Sequence, residues 1–271
     1  MSSSAETILR LCVFAGVFAM LAACEVRWPR RVLHAKRARR WFTNLSFVAL
    51  GGLVVRAMAA LSIPIAGIAA AIYAQSHDLG LLHGLATPIW LNWIVTIIAL
   101  DFAIWLQHLV SHKFPLFWKF HQVHHSDLDI DVSTALRFHP VEIALSMLWK
   151  AVCVLMLGAL PAAVLVFEIL LNATAMATHA NIALPQRADR MIRAVFVTPD
   201  MHRIHHSIIR SEHDSNYGFN LAIWDRLFGT LTEVPLRGHD GMSIGLSEYR
   251  TEAPTRLSWS LILPFRRPKP M

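Results

Sequence analysis

Long apolar stretches alternate along the chain with short, strongly polar ones. Apolar runs cover Ile8 to Glu25, Trp41 to about Ala74, Pro88 to Val110 and Val141 to about Thr178. Windows of about twenty residues within them carry almost no charge, the length a helix needs to cross the hydrocarbon core of a bilayer. The first run predicts an uncleaved spanning helix. A signal peptide is the competing reading, but its n-region holds only Arg10, and the lipoprotein-like Ala22-Ala23-Cys24 is followed directly by Glu25. Trp41 and Phe42 suit an interfacial anchor for the second run, which only Arg56 breaks. That run is long for one crossing and short for two, and predicts one tilted helix with an interfacial extension. The third run predicts an inward-going helix interrupted near its end by Asp101, Gln107 and His108. The fourth, broken by Lys150, Gly158 and Pro161, suits a tight or re-entrant helical hairpin.

The polar stretches set the orientation. Arg27 to Arg40 holds seven Lys and Arg residues, so the positive-inside rule keeps this loop cytoplasmic and the N-terminus outside. Gln75 to Ala86 is then an outer loop, and its His77 and His83 lack box spacing and stay out of the site. Lys113 to Pro140 is polar and cytoplasmic, Leu184 to Met271 is largely soluble in character, and the basic tail Phe265 to Met271 is solvated. The expected fold is an all-α integral membrane protein with about four membrane-spanning helices and a cytoplasmic, helical, histidine-rich cap.

Composition agrees. Hydrophobic residues make up 55% of the 271 and charged ones 16%, with nine tryptophans. A soluble α/β protein with buried helices would not need so many long apolar runs. The net charge of +7 does not indicate nucleic-acid binding, because the basic residues cluster beside apolar runs. Three cysteines, Cys12, Cys24 and Cys153, lie in or beside those runs; an odd number without zinc-ribbon spacing argues against a disulfide framework and a thiolate metal site.

Three histidine boxes carry the chemistry: His108-x3-His112, His121-x2-His124-His125 and His202-x2-His205-His206. His108 and His112 share a helical face, as do His121 and His125. A lone pair at this spacing is uninformative, but two His-x-x-His-His copies and a helical pair at one membrane face point to metal. Imidazole suits iron, zinc, copper and nickel, and eight ligands suffice for two ions. The absence of His-Glu-x-x-His argues against a zinc protease. A transporter would place its ligands nearer the bilayer midplane. All three boxes must meet on one side, so the run from Val141 to Thr178 has to cross an even number of times. Redox-active iron at such a site would use dioxygen to attack an unactivated C–H bond of an apolar molecule.

These residues resemble the fatty acid hydroxylase/sterol desaturase superfamily of membrane di-iron enzymes, from about Trp41 to Thr230. Besides the boxes, the resemblance rests on Arg137-Phe138-His139-Pro140-Val141-Glu142, His179-Ala180-Asn181, Thr198-Pro199-Asp200-Met201-His202, Asn216-Tyr217-Gly218 and Trp224-Asp225. It implies that the eight box histidines bind two Fe ions and act in catalysis, that His179 is a ninth ligand, and that His139 either binds metal or orients a residue that does. Zinc could replace iron in a purified protein. Asp101, Asp127, Asp200 and Asp225 are candidate acceptors for ligand N–H groups, Asp200 the preferred one, or else ordinary partners of the arginines; His213 is peripheral or structural. The resemblance further implies hydroxylation or desaturation of a sterol or fatty-acyl-type lipid, with carotenoid or alkylglycerol hydroxylation as alternatives. A membrane metal-binding or transport protein is the reading outside enzymes. With no flavin, nicotinamide or haem signature, electrons would come from a separate reductase with a cytochrome or ferredoxin. Nucleic acid is no partner, and the sequence carries no signature of an oligomeric state. The expected units are 1–40, a first helix and basic loop; 41–235, the di-iron domain; and 236–271, a cytoplasmic tail. A bacterial inner-membrane protein with its site on the cytoplasmic face fits the short loops and basic flanks.

Overall fold

The computed structural model describes residues 3–61, 67–85 and 87–266. Residues 62–66, inside the second apolar run, and most of the expected solvated tail, 267–271, lie outside the described residues. Helices α1 (Ser3–Arg27), α2 (Arg37–Ala60), α3 (Gly67–Ser76), α4 (Leu81–Gly84), α5 (Ile89–Lys113) and α6 (Pro115–His125) lead to α7 (Pro140–Leu157) and α8 (Pro161–His179). Shorter helices follow: α9 (Gln186–Ile192), α10 (Pro199–His205), α11 (Arg210–His213), α12 (Ile223–Leu227), α13 (Gly238–Gly241) and α14 (Leu257–Ile262). The described residues form no extended sheet, only three isolated bridges.

Five helices, α1, α2, α5, α7 and α8, are long and apolar enough to cross a membrane, where the sequence predicted about four. The difference lies in the fourth run. Its two arms have 18 and 19 residues, about 27 Å each at 1.5 Å per residue, so each nearly matches the bilayer core. The second run also divides: α2 ends at Ala60, and α3 is a separate ten-residue helix packed on α7 and α8. These helices face outward with apolar side chains such as Leu11, Leu53, Ile94, Val152 and Leu170, as lipid-exposed surfaces do.

Packing is closest where α3, α5, α7 and α8 meet, around Ala70, Leu100, Ile104, Val154, Val164 and Phe167. Small residues on α3 let the helices approach closely. At the turn between α7 and α8, Gly158 takes φ +67°, and a Cβ there would stand 2.5 Å from the Leu79 carbonyl oxygen. Gly80 meets the same turn backbone to backbone. Only glycine permits both the left-handed turn and that approach.

The segment between α6 and α7 is held by buried charge. Arg40 of α2 grips Asp127 at 2.7 and 2.9 Å and Asp131 at 2.6 Å. Arg137 donates to the Val123 carbonyl at 2.8 Å, to Asn44 at 3.0 Å and to the Pro254 carbonyl at 2.7 Å. Glu25, at the end of α1, accepts from the backbone N–H groups of Val132 at 2.6 Å and Asn181 at 2.9 Å. These contacts fix the ends of α6 and α8, which carry histidines.

Candidate metal centre

Helix α5 buries polar side chains beside apolar ones. Asn92, Thr96, His108 and His112 lie on its buried face with Leu100, Ile104 and Trp105, while Ile94 and Ile98 face outward. The last turn brings His108 and His112 to the membrane edge, and Pro115 opens α6 directly afterwards. His121, His124 and His125 form the last turn of α6. Thr198 caps α10 by accepting from the Met201 N–H, which sets His202 and His205 on that helix and His206 at its end. His179 closes α8.

Nine histidines come together in two adjoining groups: His108, His112, His121, His125 and His205 in one, and His124, His179, His202 and His206 in the other. In each group the candidate ligand atoms all lie within 4.8 Å of one another. Helical geometry explains the sorting. Residues four apart share a face, so the pairs 108/112, 121/125 and 202/206 each stay together. The middle member of each His-x-x-His-His box, His124 or His205, projects away and joins the opposite group. The groups touch where the rings of His125 and His206 stack with centroids 4.5 Å apart.

The ring nitrogens are arranged as ligands. Nδ1–H of His108 donates to the Tyr217 carbonyl at 2.7 Å, that of His179 to Ala175 at 2.7 Å, and that of His205 to Ser215 at 2.6 Å. His121 Nδ1–H donates to Glu142 Oε1 at 2.6 Å. Each bond leaves Nε2 as a bare lone pair. Nε2 of His179 then lies 3.1, 2.9 and 3.2 Å from Nε2 of His124, His202 and His206. One lone pair can accept only one hydrogen bond, so three such neighbours fit lone pairs converging on a shared cation. His205 Nε2 is buried with no partner among the described residues. Burial, reinforced by neighbouring imidazoles, pushes His124, His125, His202 and His206 well below the ordinary histidine range, and burial does the same to His205. They are therefore neutral, the ligating form. The donor set fits two metal ions.

The remaining expected residues fall elsewhere. His139 is in neither group; it caps α7, its Nδ1 accepting from the Val141 N–H at 3.2 Å, with Nε2 3.3 Å from the Leu261 carbonyl. Asp101 accepts from Asn220 at 2.7 Å and Trp224 at 2.8 Å. Asp225 accepts from the Tyr217 and Gly218 N–H groups at 2.9 and 2.8 Å and so holds the loop whose carbonyl receives His108. Asp200 pairs with Arg203 and lies 3.5 Å from Arg30. Asp127 serves Arg40. None of these four carboxylates is bonded to a grouped histidine. His213 stacks on Trp118 at 5.3 Å and, with Asp214, adjoins His112. Glu142, which does hydrogen-bond a grouped histidine, was given no role from sequence; its signal was an acidic residue in the first turn of the apolar helix that follows the second box.

A cavity of about 580 Å³ opens against His108, His121 and Glu142, walled by Phe47, Val48, Ile104, Met147, Leu171 and Phe219. That volume suits a small lipid-sized molecule.

Spanning helices that deliver two adjoining all-histidine groups to one end of an apolar cavity define a membrane di-metal oxidoreductase of the histidine-box class. The fatty acid hydroxylase family profile matches residues 93–230, half of the chain, and the chain belongs to that family. It is 27% identical to the ornithine lipid hydroxylase OlsE of Rhizobium tropici over 225 residues, 82% of this chain and 67% of the relative. Human alkylglycerol monooxygenase is 32% identical over 140 residues, 51% of this chain but only 30% of that protein's length. A zebrafish cholesterol 25-hydroxylase-like protein is 28% identical over 151 residues, 55% of this chain and 58% of the relative. No solved structure matches.

Proposed function

We propose that the protein is an oxygen-dependent di-iron hydroxylase that acts on a C–H bond in the apolar part of a membrane lipid of fatty-acyl type. The observation that carries this reading is the largely apolar cavity, walled by Phe47, Val48, Ile104, Met147, Leu171 and Phe219, that opens against His108 and His121. A metal transporter would need a polar path instead. The names of the relatives, an ornithine lipid hydroxylase, an alkylglycerol monooxygenase and a cholesterol 25-hydroxylase-like protein, favour hydroxylation of a lipid over desaturation. The ligands are the nine grouped histidines, with Glu142 accepting from His121 Nδ1–H and so fixing that ring's orientation and its free Nε2. When bound, a pair of irons supplies dioxygen activation and hydrogen abstraction. The chain's own part is to hold the ligands neutral and oriented, to lay the lipid along the cavity and to exclude water. His139 acts through the fold rather than as a ligand. Electrons come from a separate reductase with a cytochrome or ferredoxin. The positive-inside bias of loop 27–40 supports a site on the cytoplasmic face, and short loops with basic flanks suit a bacterial inner membrane; on this reading 41–235 is the di-iron domain and 236–271 a cytoplasmic flank.

Metal analysis after anaerobic purification in mild detergent tests this. Wild type should hold two irons per chain. His124→Ala and His205→Ala, one from each group, should each lose iron sharply, and oxygen from labelled dioxygen should enter an added acyl lipid only with wild type. A single zinc, or iron indifferent to both changes, would refute the oxygenase.

A further inference from the structure

The cavity that begins at the histidines ends among charges inside the spanning region. Glu168 of α8 accepts from Lys150 of α7 on one oxygen and from Arg10 of α1 on the other, the latter at 2.6 Å. Arg10 also bonds Glu6 at 2.9 Å. All four side chains line the cavity. At the start of α3, a Cβ on Gly67 would lie 2.6 Å from Glu168 Oε1, so the residue leaves room for this group. Charges at such depth are costly, and Lys150 with Glu168 alone would already join α7 to α8. Arg10 and Glu6 add a second pair facing the same space.

The donor count is uneven although the charge is balanced. Lys150 is only 6% exposed, and its ammonium has three N–H groups but one acceptor among the described residues. Two cations and two carboxylates leave no net charge to attract an anion. What remains is surplus donors at the end of an apolar tunnel. The matching group is an uncharged acceptor, an ester or amide carbonyl or an alcohol.

We propose that Lys150 and Arg10, positioned by Glu168, bind the uncharged oxygen-bearing end of the lipid and so set which carbon reaches the histidines; the second clause rests on the hydroxylase reading above. The spacing defines a length. Glu142, bonded to His121, and Lys150 are eight positions apart on α7, and Glu168 and His179 eleven apart on α8. At 1.5 Å per residue the polar end therefore lies about 12–16 Å from the histidines, about a dozen carbons of extended chain.

The test measures binding of tritiated methyl palmitate, palmitate and hexadecane to the detergent-purified holoprotein, beside Lys150→Met and Lys150→Arg, with iron content followed in each. Wild type should bind methyl palmitate about tenfold more tightly than hexadecane, the effect of a hydrogen bond from a charged donor. Lys150→Met should erase that preference with iron retained, and Lys150→Arg should keep it. If Lys150→Met loses iron, the paired Lys150→Met/Glu168→Gln replacement, which strands neither member of the pair, makes the same comparison. An unchanged preference in the Met variants, or palmitate binding better than its ester, overturns the proposal. His205→Ala separates the two readings: it should lose oxidation and keep the ester preference. A Lys150-dependent preference in a wild type that oxidises nothing would sink the hydroxylase alone. Wild-type oxidation of the ester without any preference would sink this inference alone.

Discussion

Glu142 is where one charge most directly touches a grouped histidine. Its Oε1 takes the His121 Nδ1 proton at 2.6 Å, so replacing the carboxylate by an amide should weaken that ring as a donor. Glu142→Gln is expected to hold iron about 10–100-fold less tightly, read by competition with a chelator. Unchanged affinity would make the contact a packing one. Eight of the nine grouped histidines were legible from box spacing and helical periodicity, which act over a few residues, and His179 only through the family resemblance. The carboxylate was harder to see because its partnership is made across helices. Asp200 drew attention by lying beside the third box, yet two positions along a helix face away from each other, and its carboxylate turns to Arg203 and Arg30. Asp225 reaches the centre only indirectly, through the Tyr217 backbone. His139 stands in an attractive motif, but Pro140 starts α7 immediately after it and leaves it as the cap.

At the scale of elements, the helices were legible to within a few residues and their number was not. The run from Val141 to Thr178 reads from sequence as a tight or re-entrant hairpin, whose arms look short for two full crossings. Two complete helices emerge because Gly158 and Pro161 confine the turn to a few residues, leaving each arm long enough to span. No local pattern announced the tie between α2 and the 126–139 segment, since Arg40 and Asp127 are 87 positions apart. The same tie carries a prediction. Arg40→Met would strand Asp127 and Asp131, both buried, and should cost about 3–5 kcal/mol. A lower midpoint of thermal unfolding in detergent, with early loss of iron, is the expected result; an unchanged midpoint would show that the carboxylates find other partners.

Over the whole molecule, the buried imidazoles make stability depend on pH. His124, His125, His202, His205 and His206 are held well below 6.5, first by burial. Below about 6.5 the unfolded chain therefore binds protons that the folded chain refuses, and stability falls as pH falls. Asp127 acts in the same direction lower down: burial raises it, Arg40 outweighs burial, and the result is about 2 against an ordinary 3.8. Its contribution is complete above about 3.8 and is lost towards about 2. The iron-free protein should thus melt progressively earlier from pH 7 to pH 5, each histidine costing up to about 1.4 kcal/mol per pH unit. A flat profile over that interval would mean that the rings are hydrated. The sorting of the boxes has a further consequence for biogenesis. Because His205 serves one group while His202 and His206 serve the other, neither metal has its full ligand set until the third box has left the ribosome and α10 has docked beneath α8. Iron delivery must then follow insertion of all five spans, and a chain stalled before residue 202 would carry no complete centre at all.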